Sequence, residues 1–393
     1  MPYSKRMTAA RPRIIYLTHW RFPSEKTMTP LILKTCEGFV REGYEVELWI
    51  PNRRNIDSGN SDLFERYGIR ERFEIRRLPT LDAMHVLGSV GFLFMVASFN
   101  VSAFLALRGR NDVIVYAHDL RDVIVPSLRR LPLYVEIHDF YESSLRFLNA
   151  FVLKRCTGLI VTNTLKMERL SKRYGFPHER MIHQPNAVDY AFFAAAPIKE
   201  ETRRILGLPQ DRRLVIYTGH LFSWKGVDTL AEAVAYLPED TDVYFVGGTE
   251  HDRVRLKTFV QERKLPRIVF VEHQPHDRMP LWQGAADVLI LPNTAKEEAS
   301  RLETSPVKLF EYLSSGHPAV VSDLPSIRDV VSDREVFFFE PDDAIALART
   351  ICAVLASPEE AKVRSEAAQA LARRHSWESR SGAIAAFIGE RTS

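Results

Sequence analysis

Two stretches in the second half of the 393-residue chain gather residue types that hold an anion. The first is Gly219-His220-Leu221, followed by Ser223-Trp224-Lys225-Gly226 and the helical run Val227–Leu237. It follows the apolar run Leu214–Thr218, and ligands of open α/β sheets gather beyond the carboxyl ends of strands. His220 and Lys225 are therefore placed to meet an anion such as a diphosphate; taken alone, Lys225 reads first as a solvated lysine beside a turn. The second stretch runs from Glu303 to Gly316 after the apolar run Val288–Leu291. Ser305 is the expected N-cap and Pro306 the expected first helical residue, so the first-turn N–H groups around Val307 and Lys308 face the ligand. Glu303 precedes that helix and Glu311 lies about two turns inside it. The two carboxylates can accept hydrogen bonds from sugar and ribose hydroxyls, or stand as exposed glutamates on a helix face.

Positioning these groups takes a parallel sheet. Ile14–Thr18, Val46–Ile50, Val113–Ala117, Leu133–Ile137 and Leu159–Thr162 read as strands separated by helical segments. The pattern pauses over Tyr190–Leu208 and restarts with Leu214–Thr218, Val243–Val246, Ile268–Val271, Val288–Leu291, Ala319–Ser322 and Val336–Phe339. The expected class is α/β, with two Rossmann-like domains over residues 1–189 and 190–374 facing a cleft. A final segment, 375–393, carries a helix capped by Ser376. Asp240-Thr241-Asp242 is formally a D-x-D metal motif, but it precedes a strand, at the wrong end for such a cleft, and reads as a turn.

Taken together, Ser305-Pro306-x-Lys308-x-x-Glu311-Tyr312, the E-x7-E spacing of Glu303 and Glu311, and Gly316 through Pro325 resemble the retaining GT-B-fold glycosyltransferases of family 4. Gly219-His220-Leu221 with Lys225-Gly226, Ala286-Asp287-Val288 through Pro292, and Gln184-Pro185-Asn186-Ala187-Val188-Asp189 fall in the same order, so the resemblance covers nearly the whole chain. His220 stands where that family usually has Arg, Ala187 replaces its usual Gly, and Phe22-Pro23-Ser24-Glu25-Lys26-Thr27 replaces its Gly-Gly loop.

The resemblance implies transfer of a sugar from a nucleoside-diphosphate sugar to an acceptor hydroxyl with retention, without a metal or other cofactor. It places Glu311 at the ribose, Glu303 at the donor sugar, Lys225 at the diphosphate, and His273 with Gln274 beside the base. Gly219, His220, Ser305, Pro306, Val307 and Lys308 complete the donor site. His138, which closes Leu133–Ile137, falls near the reacting sugar, with His118, Lys26 and Thr27 on the acceptor side. It also implies a last helix that returns to the N-terminal domain. The alternatives are a catalytically silent nucleotide- or glycan-binding module and a nucleotide-sugar epimerase.

Composition is that of a folded protein, 46% hydrophobic and 26% charged. Cys36, Cys156 and Cys352 lack metal or disulfide spacing, and the polar start lacks a secretory core, which suggests the cytoplasm. Residues 1–189 carry 28 basic and 20 acidic side chains, the rest 25 and 30. Met84–Leu107 contains no charged side chain, although Arg76, Arg77, Arg108 and Arg110 flank it. It is long enough to span a bilayer, yet it sits between strands of one sheet. A buried crossover helix or a helix lying on an anionic membrane is expected, with a glycan or lipid-linked acceptor and no nucleic acid as partner.

Overall fold

The computed structural model describes residues 12–24, 28–53, 62–138 and 146–392. Alternating β-branched runs and amphipathic segments fold into two parallel sheets, as their order requires. The first contains β1 (Arg13–Leu17), β2 (Val46–Pro51), β3 (Glu74–Leu78), β4 (Val113–Ala117), β5 (Leu133–Ile137), β6 (Gly158–Val161) and β7 (Met181–His183). Their order is β3-β2-β1-β4-β5-β6-β7, so the winding reverses between β1 and β4. The second contains β8 (Arg213–Thr218), β9 (Thr241–Val246), β10 (Ile268–Val271), β11 (Val288–Leu291), β12 (Ala319–Ser322) and β13 (Phe337–Phe339). Its order, β10-β9-β8-β11-β12-β13, reverses between β8 and β11.

Both faces of each sheet are covered, which is why the central strands read as continuous apolar runs. On β1, Ile15 and Leu17 enter one core, while Ile14 and Tyr16 enter another on the opposite face. The same division holds on β8, with Val215 and Tyr217 on one side and Leu214 and Ile216 on the other.

Two strands escape the sequence pattern. β3 is Glu-Ile-Arg-Arg-Leu at the edge of its sheet, where Arg76 lies over the Trp49 ring at 5.1 Å instead of projecting into a core. β7 is three residues long at the other edge.

The chain divides into two units, residues 1–184 with 377–393, and residues 185–376, against the expected boundaries at 189 and 374. Within the second unit, Val188 pairs with Ser376 and its N–H donates to the His375 carbonyl at 3.0 Å. The last helix, Trp377–Thr392, packs on the first sheet through Ile384, Phe387 and Ile388.

Met84–Ala106 is the one helix among the described residues long and apolar enough to cross a membrane. It connects β3 to β4 of one sheet, so both ends are held by the same unit. The backbone breaks at Gly88 (φ 52°), a left-handed conformation that glycine adopts without penalty.

Candidate active site

Strand β8 delivers the first group of site residues. Beyond Thr218 the chain turns through Gly219 (φ 113°), and a Cβ there would lie 2.8 Å from the Lys308 ammonium, so glycine makes room for that lysine. Gly226 (φ 70°) precedes the helix Val227–Ala233, and a Cβ on it would sit 1.6 Å from the Pro292 carbonyl. That contact locks the β8 loop against the end of β11. Between the two glycines, His220 stacks on Phe222 at 5.0 Å, Phe222 stacks on Trp224, and the Lys225 ammonium lies 3.8 Å from the Trp224 ring.

The second group comes from the segment after β11. A five-residue π turn, Ala299–Glu303, ends at Glu303, and the helix Val307–Ser315 follows. Ser305 is not its N-cap. Pro306 occupies that place in an extended conformation, with no side-chain cap. The Ser305 hydroxyl instead accepts from the Asn186 N–H at 3.1 Å, and its carbonyl accepts from the Asn186 side-chain amide at 2.6 Å. The N–H groups of Val307 and Lys308 therefore have no side-chain acceptor, which favours an anion there. The Lys308 ammonium lies 3.8 Å from the Tyr217 ring, while the Tyr312 hydroxyl accepts from the Thr218 N–H at 2.9 Å, pinning this helix to β8.

Electrostatics mark the same place. Burial pushes Lys225 down to about 8. Burial, reinforced by the charge of Lys225, holds Lys308 well below the usual lysine range. Burial raises Glu311 against the opposing pull of His276, Lys308 and a hydrogen bond from the Gln283 amide at 3.1 Å. His220 is held below its ordinary value by burial against its neighbours, then by Lys308. Two desolvated cations, one of them in the uncapped first turn, with a carboxylate one helical turn further on, form a site that favours an anion carrying hydroxyl groups.

Gln283 and His276 were not visible as site residues in the sequence. Gln283 belongs to the helix Met279–Gly284, and His276 stacks on Phe192 at 5.4 Å. Only the fold brings them to Glu311. His273 is exposed in the loop after β10, and Gln274 accepts from the Trp282 indole at 3.3 Å. Asp240 and Asp242, at the start of β9, pair with Arg213 and Arg212.

The first unit gathers a second cluster where β1, β4 and β5 end. His118 and His138 stack with ring centroids 4.4 Å apart. Both nitrogens of His118 have neighbours, Tyr16 Oη at 3.3 Å and Met28 Sδ at 3.0 Å. His138 Nε2 lies 3.4 Å from the buried Glu136 carboxylate, which also accepts from Tyr16 and pairs with Arg380 of the last helix. Burial drives His118 well below its ordinary value, and His138 adds to the effect. Despite its burial, Glu136 stays well below the usual carboxylate range, held there by Arg380 and His138.

His118, Glu136 and His138 have ligand atoms within 4.8 Å of one another, the spacing of a metal site. The guanidinium of Arg380 already neutralises the carboxylate, so this donor set does not fit a cation. Alongside it, and unmarked in the sequence, His19 pairs with the buried Asp122 at 2.6 Å. Lys26, Thr27 and Asp139 lie outside the described residues.

Residues 198–371, nearly all of the second unit, match the family described as glycosyl transferases group 1. The D-inositol 3-phosphate glycosyltransferase of Xylanimonas cellulosilytica is 26% identical over 249 residues, covering 59% of this chain and 57% of that protein. The phosphatidyl-myo-inositol mannosyltransferase of Mycobacterium tuberculosis is 28% identical over 202 residues, covering 49% and 50%. The chain thus spans about half the length of these curated relatives. Among solved structures, the UDP complex of Anabaena Alr3699/HepE superposes with a TM-score of 0.75 at 18% identity, over 96% of this chain and all of that one. At that identity the likeness establishes the fold. Two parallel sheets of this order and the likeness to that structure give the chain the GT-B fold, and its second unit carries the pattern of the glycosyl transferases group 1.

Proposed function

We propose that the protein transfers a sugar from a nucleoside-diphosphate sugar to an acceptor hydroxyl, with retention at the anomeric carbon and without a metal. The observation that carries this reading is the pair Lys225 and Lys308, both desolvated and near enough that the charge of Lys225 bears on Lys308, which stands in the uncapped first turn of the Val307–Ser315 helix. Two such cations and two N–H groups can hold a diphosphate and stabilise the charge that grows as it departs. Glu311 holds the ribose and Glu303 the sugar. Relatives in solved structures bind UDP and UDP-glucose, in line with this reading.

The acceptor is lipid-linked or presented at a membrane, and the first unit docks there through the Met84–Ala106 helix. Val90, Leu93, Phe94, Val101 and Leu105 are 48–63% exposed, so its solvent side is as apolar as its core side. Exposed Arg108 follows its C-terminal end, where the Arg129 guanidinium donates to the Phe104 carbonyl at 2.7 Å. An apolar stripe ending in basic residues suits the surface of an anionic bilayer.

The test is nucleoside diphosphate release from a panel of nucleotide sugars with EDTA present, and the anomeric configuration of the product by NMR. Release that needs added magnesium or manganese overturns the metal-free reading. An inverted product overturns retention, and binding without turnover leaves a silent binding module.

A further inference from the structure

Both lysines of the donor site rest on aromatic rings. The Lys225 ammonium lies 3.8 Å from the centre of the Trp224 ring, and the Lys308 ammonium lies 3.8 Å from that of Tyr217. We propose that Trp224 and Tyr217 are positioning residues of this site: their ring faces seat the two ammonium groups and leave both charges uncompensated for a diphosphate. The inference rests on the nucleotide-sugar reading and lies wholly within the second unit.

Desolvated lysines ordinarily pair with a carboxylate, because their lost hydration has to be replaced. These two do not. Among the described residues neither ammonium has a hydrogen-bond or salt-bridge partner, and Glu311, one turn further on, attracts Lys308 without reaching it. A ring face replaces part of the lost hydration through its quadrupole while carrying no net charge. A carboxylate would hold the ammonium more firmly, but it would cancel the charge and repel an incoming phosphate. The ring also covers only one side of an ammonium that has three N–H donors, so donors remain for phosphate oxygens.

The rings are fixed by contacts other than the lysines. Tyr217 is fully buried in β8, where its hydroxyl donates to the His220 carbonyl at 2.6 Å and its ring packs on Phe245 at 6.1 Å. Gly219, two residues on, lacks the Cβ that would stand 2.8 Å from the Lys308 ammonium, so the backbone leaves room for the seated lysine. Trp224 lies in the turn Ser223–Lys225; its carbonyl accepts from the Thr294 N–H at 3.3 Å, and its ring stacks on Phe222, which stacks on His220. Neighbouring side chains in a helical turn do not face each other, so Lys225 reaches the indole only by folding back over it.

Calorimetric affinity of the full chain for UDP and for inorganic pyrophosphate, a probe without a base, tests the seats. Trp224→Phe keeps a ring face and should bind both ligands within about threefold of wild type. Trp224→Met fills similar space without a ring and should weaken both by about tenfold, the loss expected for a desolvated cation on a ring. Tyr217→Phe and Tyr217→Met should divide in the same way. A seat acts only through its lysine. In a Lys225→Met background, adding Trp224→Met should therefore cost less than about twofold, and likewise Tyr217→Met in a Lys308→Met background. Packing alone gives the opposite pattern, with Phe and Met variants equally weakened and losses that multiply with those of the lysine variants. Either result at Trp224 overturns the proposal. That residue is half-buried in a turn, so its variants decide the question even where Tyr217→Met lowers the melting temperature. Wild-type protein that binds none of UDP, GDP and pyrophosphate overturns the nucleotide-sugar reading itself, whereas binding with equally weakened Phe and Met variants overturns the seats alone.

Discussion

Lys225 and Lys308 are expensive residues: each loses hydration, and the charge of Lys225 bears on Lys308. An anion between them reverses both penalties, which makes binding a proton-linked event. The lysine values are depressed in the free protein and rise when a diphosphate is bound, so binding takes up protons between the free and bound values. Affinity should therefore fall as pH climbs through the value of about 8 for Lys225. The fall is up to about tenfold per pH unit for each proton taken up. Calorimetry in buffers of different ionisation enthalpy reads this uptake directly, and its absence at pH 8 would mean that the two lysines do not meet the phosphates. Substitution separates the roles. Lys225→Ala should lower kcat by about 100-fold, in the range for removing one preorganised electrostatic group. Glu311→Ala should instead raise the donor KM by about tenfold or more, because it removes a ground-state hydrogen bond to a charged acceptor. Near-normal steady-state kinetics in both variants would refute the assignment.

Helices and strands differ in how far the sequence exposes them. The central strands were legible because burial on both faces demands unbroken apolar runs, as in Leu214–Thr218 and Leu133–Ile137. β3 was not, because an edge strand can use the stems of Arg76 and Arg77 where a central strand needs valine. The start of the Val307–Ser315 helix was legible from Pro306, but Ser305 was misread as its cap, since the competing donor, Asn186, comes from a distant loop. His19, Asp122, His276 and Gln283 share that limitation: each gains meaning only from a partner that the sheet order brings near. The Met84–Ala106 helix had two readings from its composition, core or membrane surface. Its faces resolve into Met95, Phe99 and Ala103 inside and Leu93, Phe94 and Leu105 outside. Phe92 packs on His19, so substituting it tests the wrong face. Leu93→Asp should weaken sedimentation with anionic liposomes at low salt by about tenfold or more, from the apolar burial it forfeits. Binding should also fall with added salt. Unchanged sedimentation would leave the stripe without a membrane role.

At the level of the whole chain, the first unit is closed by a helix encoded almost two hundred residues later. Gly38 shows how tightly: a Cβ there would meet the Ser381 hydroxyl at 1.8 Å, so the helices Met28–Arg41 and Trp377–Thr392 cross at a glycine. The Tyr134 and Tyr44 hydroxyls donate to the Ile388 and Ala385 carbonyls, both at 3.3 Å. Amid these apolar contacts stands the Arg380–Glu136 pair, wholly buried. Burying two charges gains little over a well-packed apolar pair, whereas leaving one of them alone is severe. Arg380→Met should therefore destabilise the first unit by about 3–5 kcal/mol, because Glu136 keeps its charge among Tyr16, Tyr116 and His138 without a permanent counterion. Adding Glu136→Gln removes that charge while keeping an acceptor for Tyr16, and should restore most of the loss. The second unit has its own cores, so calorimetry should show one transition moving and the other fixed. If the double variant is as unstable as the single one, the last helix is held by packing around Arg380 and its charge pairing contributes little.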